Sequence, residues 1–499
     1  MSESSASSIS TDAARRAARN VGAIALAQIV SKGALFAWQL VLIPLLGKSA
    51  YGIYTTVTAF FLVGVAVASF GMGNIVIREV ARRTALAGKY LSATLFYQTI
   101  LALVAYLGIN AVAALGDYTP EVRGFVAVAG LSMFVDQLGT MVYEQLLARE
   151  QMVTTSLVEI GTVIVRIVLT ALALVAGLGL VGVYAATILS GLARALVLWR
   201  ALLADGVRPE FPLDRALVRN LFADATPLAL AAFVNQAYTQ LDRLVTGRFI
   251  PEGVAYLGAA FIIIVGMVEL LSTTVLIAVF PIMSRTYSEN PVVFRALVSR
   301  LAFFTLLIVL PITLALSIFS HTFTLVFGAD FLPTADILRV LVWYGLLAMV
   351  SNVFAQALLV QNQQRITLGV RAAGLTLNLG LLLFLLPRFG VRGAPLATAS
   401  AEALVLLALV WLFWRLDRGA APVIRTGQIA RLLIAGGLAA AAMLLLGSLH
   451  FILGIVGGLL VYAVAVLLLR VLHADDWALL RRLIEAMPGG GLVARWLPG

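Results

Sequence analysis

The chain contains no cysteine, which removes disulfides and thiolate metal centres from consideration. Its three histidines, His321, His450 and His473, are far apart in sequence and form no paired metal motif. Charge is scarce as well: Asp, Glu, Lys and Arg make up 12% of the 499 residues, about half the fraction of an ordinary soluble domain. The sequence has no Gly-rich phosphate loop and no nucleophile elbow, and its longest connection is about fifteen residues, too short for an aqueous catalytic domain. These absences argue against an enzyme and against any metal or organic cofactor, leaving a proton or sodium ion as the one coupling species to consider.

What is abundant is apolar: 62% of the residues are hydrophobic, and they come in blocks of about 20 or more, the length that crosses a hydrocarbon core. Spans are expected at about 21–45, 52–77, 90–115, 122–148, 153–177, 180–203, 218–249, 254–283, 300–320, 333–361, 366–387, 391–414, 428–448 and 451–472. No two-residue alternation marks a barrel, so the fold class is all-α integral membrane, with about 14 transmembrane helices. With the amino terminus cytoplasmic, 24 basic residues fall on the inner side, 5 on the outer and 6 within spans. That asymmetry supports cytoplasmic N- and C-termini. It also explains the formal charge of +11 without invoking nucleic acid.

An internal repeat organises the spans. The first leads through KSAYGIY into a second ending in REVARR; about 200 residues later the seventh leads through PEGVAYL into an eighth ending in PIMSRTY. Six helices per repeat place both halves in the membrane in the same sense, an arrangement found in transporters. The expected organisation is a disordered cytoplasmic tail (1–20), an N-lobe (21–204), a cytoplasmic linker (205–217), a C-lobe (218–418), two appended spans (428–472) and an amphipathic cytoplasmic tail (473–499). The two lobes are pseudo-symmetric six-helix units.

Charges in hydrocarbon cost several kcal/mol and so face protein or water. In the first span Gln28, Lys32 and Gln39 share one helix face. In the seventh, Asn235, Thr239, Asp242 and Thr246 form a stripe, with Gln236, Gln240 and Arg243 beside it. Asp136, Thr140 and Glu144 repeat at four-residue intervals in the fourth span, the fifth carries Glu159 and Arg166, and the eighth carries Glu269. Such residues serve equally as interhelical hydrogen bonds that fix packing. Stripes at equivalent places in both repeats favour a cavity instead. Lys32, Gln28, Arg166, Asn235, Gln236, Gln240 and Arg243 are candidate substrate contacts, the cations suiting an anion. Asp136, Glu159, Asp242 and Glu269 are candidate ion-coupling groups. For Arg339, Arg371 and Glu402 structural ion pairs and interhelical hydrogen bonds are the favoured reading, since they lie close enough to span ends to snorkel.

The segments RNVGAIALAQIVSKGALF, LGKSAYGIYTTVTAF, GNIVIREVARR, PLALAAFVNQAYTQLDRLVTGRF, VAYLGAAF and FPIMSRTY resemble the polysaccharide transporter branch of the multidrug, oligosaccharidyl-lipid and polysaccharide (MOP) exporter superfamily. The resemblance implies two lobes working by alternating access in a bacterial inner membrane. It implies as substrate an undecaprenyl-diphosphate-linked oligosaccharide, flipped to the outer leaflet for surface polysaccharide assembly. Lys32 and Arg243 would then meet the diphosphate, and the partners would be membrane lipids and polysaccharide polymerase machinery. Lipid II flippases use basic residues in the first and eighth helices; Lys32 matches the first, but the eighth span here has Glu269 and no arginine. Multidrug exporters of the superfamily typically have twelve spans and acidic sites for cationic drugs. A membrane-embedded polymerase or ligase is the remaining alternative.

Overall fold

The computed structural model describes residues 2–415, 426–473 and 476–477. The amphipathic tail expected over 473–499 and the last residues of the expected C-lobe, 416–418, lie largely outside them. The described residues form helices α1 (Ser2–Ser69), α2 (Met72–Arg82), α3 (Ala87–Leu115), α4 (Pro120–Ala148), α5 (Met152–Val175), α6 (Gly179–Ala204), α7 (Arg215–Phe249) and α8 (Gly253–Val268). They continue with α9 (Thr274–Glu289), α10 (Pro291–Ile318), the short α11 (Ser320–Thr324), α12 (Thr334–Val360), α13 (Gln364–Phe389), α14 (Gly393–Arg415), α15 (Thr426–Gly447) and α16 (Phe451–Leu468). No strand occurs among these residues.

Twelve continuous segments are long and apolar enough to cross a membrane. Two of them, Val30–Arg82 with 53 residues and Gln364–Arg415 with 52, are each about 75–80 Å of helix, twice the need of one crossing. Each folds back once, which gives fourteen crossings among the described residues. The first turnaround is at Gly47, whose φ of 71° and ψ of 168° suit a residue without a Cβ. The second is the short turn Gly390–Arg392 between α13 and α14.

Caps at the membrane surfaces fix where helices begin. Thr119 accepts from the Val122 amide ahead of Pro120, Asp214 accepts from the Ala216 and Leu217 amides, and Asn290 accepts from those of Val292 and Val293. The eighth crossing is interrupted by a π-helical turn at Glu269–Thr273 between α8 and α9.

Contacts divide the chain inside α8 into residues 1–259 and 260–499. In the first unit, α7 packs along α1, and one core gathers Val57, Phe60, Ala105, Ile109, Val126 and Met133 from α1, α3 and α4. A second cluster, Met72, Ile75, Ala93, Leu221 and Ala225, joins α2 and α3 to the start of α7. In the second unit, Phe294, Val298, Phe354, Leu409 and Phe413 join α10, α12 and α14. There α15 and α16 form a tight hairpin, and the Tyr462 hydroxyl ties α16 to α10 by donating to the Leu307 carbonyl at 2.7 Å. Outward from these cores the helices expose leucine, valine and isoleucine in quantity, as lipid-facing surfaces require.

Candidate functional site: a cavity and an ion cluster among α1, α4, α5 and α6

The turn between α5 and α6 is only three residues long, which forces the two helices to run antiparallel as neighbours. Both also pack against the α1 and α4 crossings. Among these four helices lies a cavity of about 250 Å³. Its walls include Trp38, Gln39 and Tyr54 from α1, Ser132 from α4, Arg166 from α5 and Tyr184 from α6. Arg166 is the charged residue among them; its Nε donates to the Ser190 hydroxyl at 3.3 Å. The Gln39 amide nitrogen donates to the Tyr54 hydroxyl at 3.2 Å.

Nearby, Arg194 of α6 is the centre of a second polar group. Its Nε donates to Glu159 at 2.6 Å, while its Nη1 lies 3.9 Å from Asp136 and donates to Thr140 at 3.4 Å. The guanidinium also sits over the Tyr143 ring, 5.7 Å from its centroid. With 11% of its side chain exposed, Arg194 is held away from water, where such contacts gain most. Glu144 packs in the space left by Gly73 of α2, and its Oε2 is buried without a hydrogen-bond partner.

The candidate residues distribute unevenly. Asp136 and Glu159 meet at Arg194, and Arg166 lines the cavity beside Gln39. Gln28 and Lys32 lie on an exposed part of α1. On α7, Gln240 and Asp242 are buried, Gln236 is partly buried, and Asn235 is exposed; Arg243 hydrogen-bonds Gln240 one turn back. Glu269 sits in the π-helical turn of the second unit, partly buried.

The second unit repeats the ion pair with its polarity reversed. Arg371 of α13 lies 3.3 Å from Glu402 of α14 and donates to Asn352 of α12 at 3.2 Å. The 19-residue spacing from Thr140 to Glu159 recurs from Asn352 to Arg371, on matching helices of the two halves. Where the first unit has an acid on the earlier helix and arginine on the later, the second has arginine and then an acid. Arg371 and Glu402 thus make the structural ion pair favoured for them, but without snorkelling to a span end. Glu402 is 0% exposed in the middle of its helix, and each charge is met by the other.

Arg194, Tyr184 and Trp38 were not singled out from sequence. Arg194 has no acidic residue within four positions, and its partners come from two other helices, so the spacing rules that expose intrahelical pairs do not find it.

Comparison with known proteins follows the same lines. Residues 17–287 match the family model described as polysaccharide biosynthesis protein, and residues 153–465 match that of lipid II flippase MurJ. Among solved structures the chain is similar to a lipid II flippase MurJ in an inward closed conformation, with a TM-score of 0.72 at 14% identity, covering 90% of this chain and 98% of that one. It is similar to an inward-facing multidrug resistance MATE family transporter of the MOP superfamily, with a TM-score of 0.64 at 15% identity over 79% of this chain and 96% of that one. A MOP superfamily transporter from Pyrococcus furiosus gives a TM-score of 0.51 at 15% identity, covering 80% of this chain and 95% of that one. At such identities the likeness is one of fold. No curated protein matches the chain.

Proposed function

The chain belongs to the polysaccharide biosynthesis protein and lipid II flippase MurJ families, both members of the MOP exporter superfamily, and from that premise we propose that it flips an undecaprenyl-diphosphate-linked oligosaccharide from the cytoplasmic to the outer leaflet of a bacterial inner membrane. The observation that carries this reading is the cavity among α1, α4, α5 and α6, with a guanidinium and hydroxyls held inside a membrane-spanning unit. A membrane anchor has no use for such a space, and charge at that depth is expensive unless it works. Lys32 and Arg243 are the cations assigned to the diphosphate. Asp136, Glu159, Asp242 and Glu269 are assigned to coupling with a proton or sodium gradient. Surface polysaccharide polymerase machinery would receive the product.

The test is flipping in proteoliposomes, with a membrane-impermeant reagent reporting the leaflet that holds the lipid-linked oligosaccharide. The wild type moves the lipid, and Lys32→Ala or Arg243→Ala abolishes movement while the protein still inserts. Full transport by both variants would remove these residues from the mechanism, and no transport by the wild type would refute the reading. The match of residues 153–465 to the MurJ family supports a second reading, lipid II as cargo. Flipping of lipid II in the same vesicles, with none of the oligosaccharide carrier, would favour it.

A further inference from the structure

We propose that the cavity among α1, α4, α5 and α6 is a subsite for a single sugar ring bearing one carboxylate, part of the oligosaccharide being moved; this rests on the flippase reading above. Size sets the first limit. A volume of about 250 Å³ falls below the roughly 300–1,000 Å³ of sites for drug-sized ligands, so it suits one ring rather than an oligosaccharide or a lipid tail.

The walls set the second. Trp38, Tyr54 and Tyr184 offer flat aromatic surfaces to the C–H face of a pyranose. Two polar atoms among them are left over: the Tyr184 hydroxyl, on a residue 6% exposed, and Gln39 Oε1 are buried without a hydrogen-bond partner. Buried polar groups are normally paired, and a ring of hydroxyls supplies both the acceptor and the donor these two lack.

Charge sets the third. Arg166 spends its Nε–H on Ser190, and its terminal nitrogens form the planar fork that matches a carboxylate. The neighbouring carboxylates Glu159 and Asp136 lie 2.6 Å and 3.9 Å from Arg194, and the charge of Asp136 reaches Arg166 as well. One fork pairs with one carboxylate, whereas a diphosphate would bring excess negative charge into a largely apolar space. The repeat makes the same point. Arg166 stands seven residues after Glu159, and the position seven after Arg371 is Asn378, so this charge belongs to the first unit and is not part of the repeated framework.

Two short-chain lipid diphosphate disaccharides, one with a terminal glucuronate and one with glucose, serve as probes. Binding is measured by calorimetry to the full chain in phosphatidylcholine nanodiscs, alongside flipping of the same lipids. The acidic probe should bind at least about ten-fold tighter than the neutral one. Arg166→Gln should weaken the acidic probe to the level of the neutral one, and a melting temperature equal to that of the wild type shows that the variant is folded. Arg166→Lys should restore part of the preference, and Tyr184→Phe should weaken both probes alike. Equal affinities in the wild type with flipping intact would overturn the subsite and leave the flippase standing. If neither probe is bound or flipped, the flippase reading falls and takes the subsite with it. If phosphatidylglycerol nanodiscs abolish the preference, the site reads a lipid headgroup and the sugar assignment is wrong.

Discussion

Glu402→Gln removes one charge from a pair that water does not reach, and leaves Arg371 facing a neutral amide. The pair is 3.3 Å apart, with side-chain exposures of 13% and 0%. At an effective dielectric constant of about 20 the attraction at that distance is about 5 kcal/mol. The net effect of stranding one member of a buried pair is about 3–5 kcal/mol, most of it the cost of an uncompensated charge. For a melting unit of roughly 240 residues, 1 kcal/mol moves the midpoint by about 2–4 °C. Glu402→Gln should therefore lower the melting temperature by roughly 6–20 °C, read by differential scanning fluorimetry of the purified protein in detergent. The informative partner is the exchange Arg371→Glu with Glu402→Arg, which recreates the order of charges that the first unit has at Glu159 and Arg194. It should recover most of the loss. A single variant that melts with the wild type, or an exchange as damaging as either single change, would refute the claim that the pair matters as a pair.

Three further outcomes are expected. Gly247→Ala drives its methyl into the Thr56 side chain, whose hydroxyl is fixed by donation to the Gly52 carbonyl at 3.1 Å; it should destabilise by about 1–3 kcal/mol, and Thr56→Ala in the same chain should relieve it, both read as melting temperatures. Tyr118, in the loop before α4, donates its hydroxyl to the Leu244 carbonyl at 2.8 Å, and burial pushes its pKa up to about 12, against a small opposing effect of Arg248. Because the folded value lies above the ordinary value of about 10, its contribution is whole below pH 10 and is lost as the pH rises towards 12; Tyr118→Phe should cost about 1 kcal/mol at neutral pH and flatten that alkaline decline, measured by melting across the range. Asp476 accepts from the Gln428 amide nitrogen at 3.2 Å and the His473 backbone at 3.0 Å, with Arg300 at 3.6 Å, so Asp476→Ala should loosen the α15–α16 hairpin, seen as faster amide exchange at the end that carries Gln428.

The crossings were legible because lipid imposes a length on apolar blocks, and the boundaries follow: the span expected at 218–249 is α7, and those at 122–148 and 153–177 are α4 and α5 within a few residues. The π-helical turn was not. The segment ELLST carries no glycine or proline to mark it. Helical periodicity put Gln240 and Arg243 on one side of α7, where they hydrogen-bond, because both lie on one helix. It missed Arg194 and did not name the partner of Glu402, since 35 residues separate Arg194 from Glu159 and 31 separate Arg371 from Glu402. Such pairs exist only once antiparallel helices have been set side by side.

The reversed pair also changes how the charges within the spans should be read. By charge alone Arg166, Arg194 and Arg371 are alike, three arginines within spans. In the folded chain Arg194 and Arg371 have carboxylates within 2.6 Å and 3.3 Å, so they add little to the field an anionic ligand would meet. Matching helices of the two units each bring an arginine and a carboxylate together, in opposite order, as expected if what is needed there is a pair and not a particular sign. Arg166 is different: it lines a cavity, and its equivalent is the neutral Asn378. The paired arginines are answered within their own units, and Arg166, which has no charged counterpart in the second, is where recognition of an acidic sugar is to be sought.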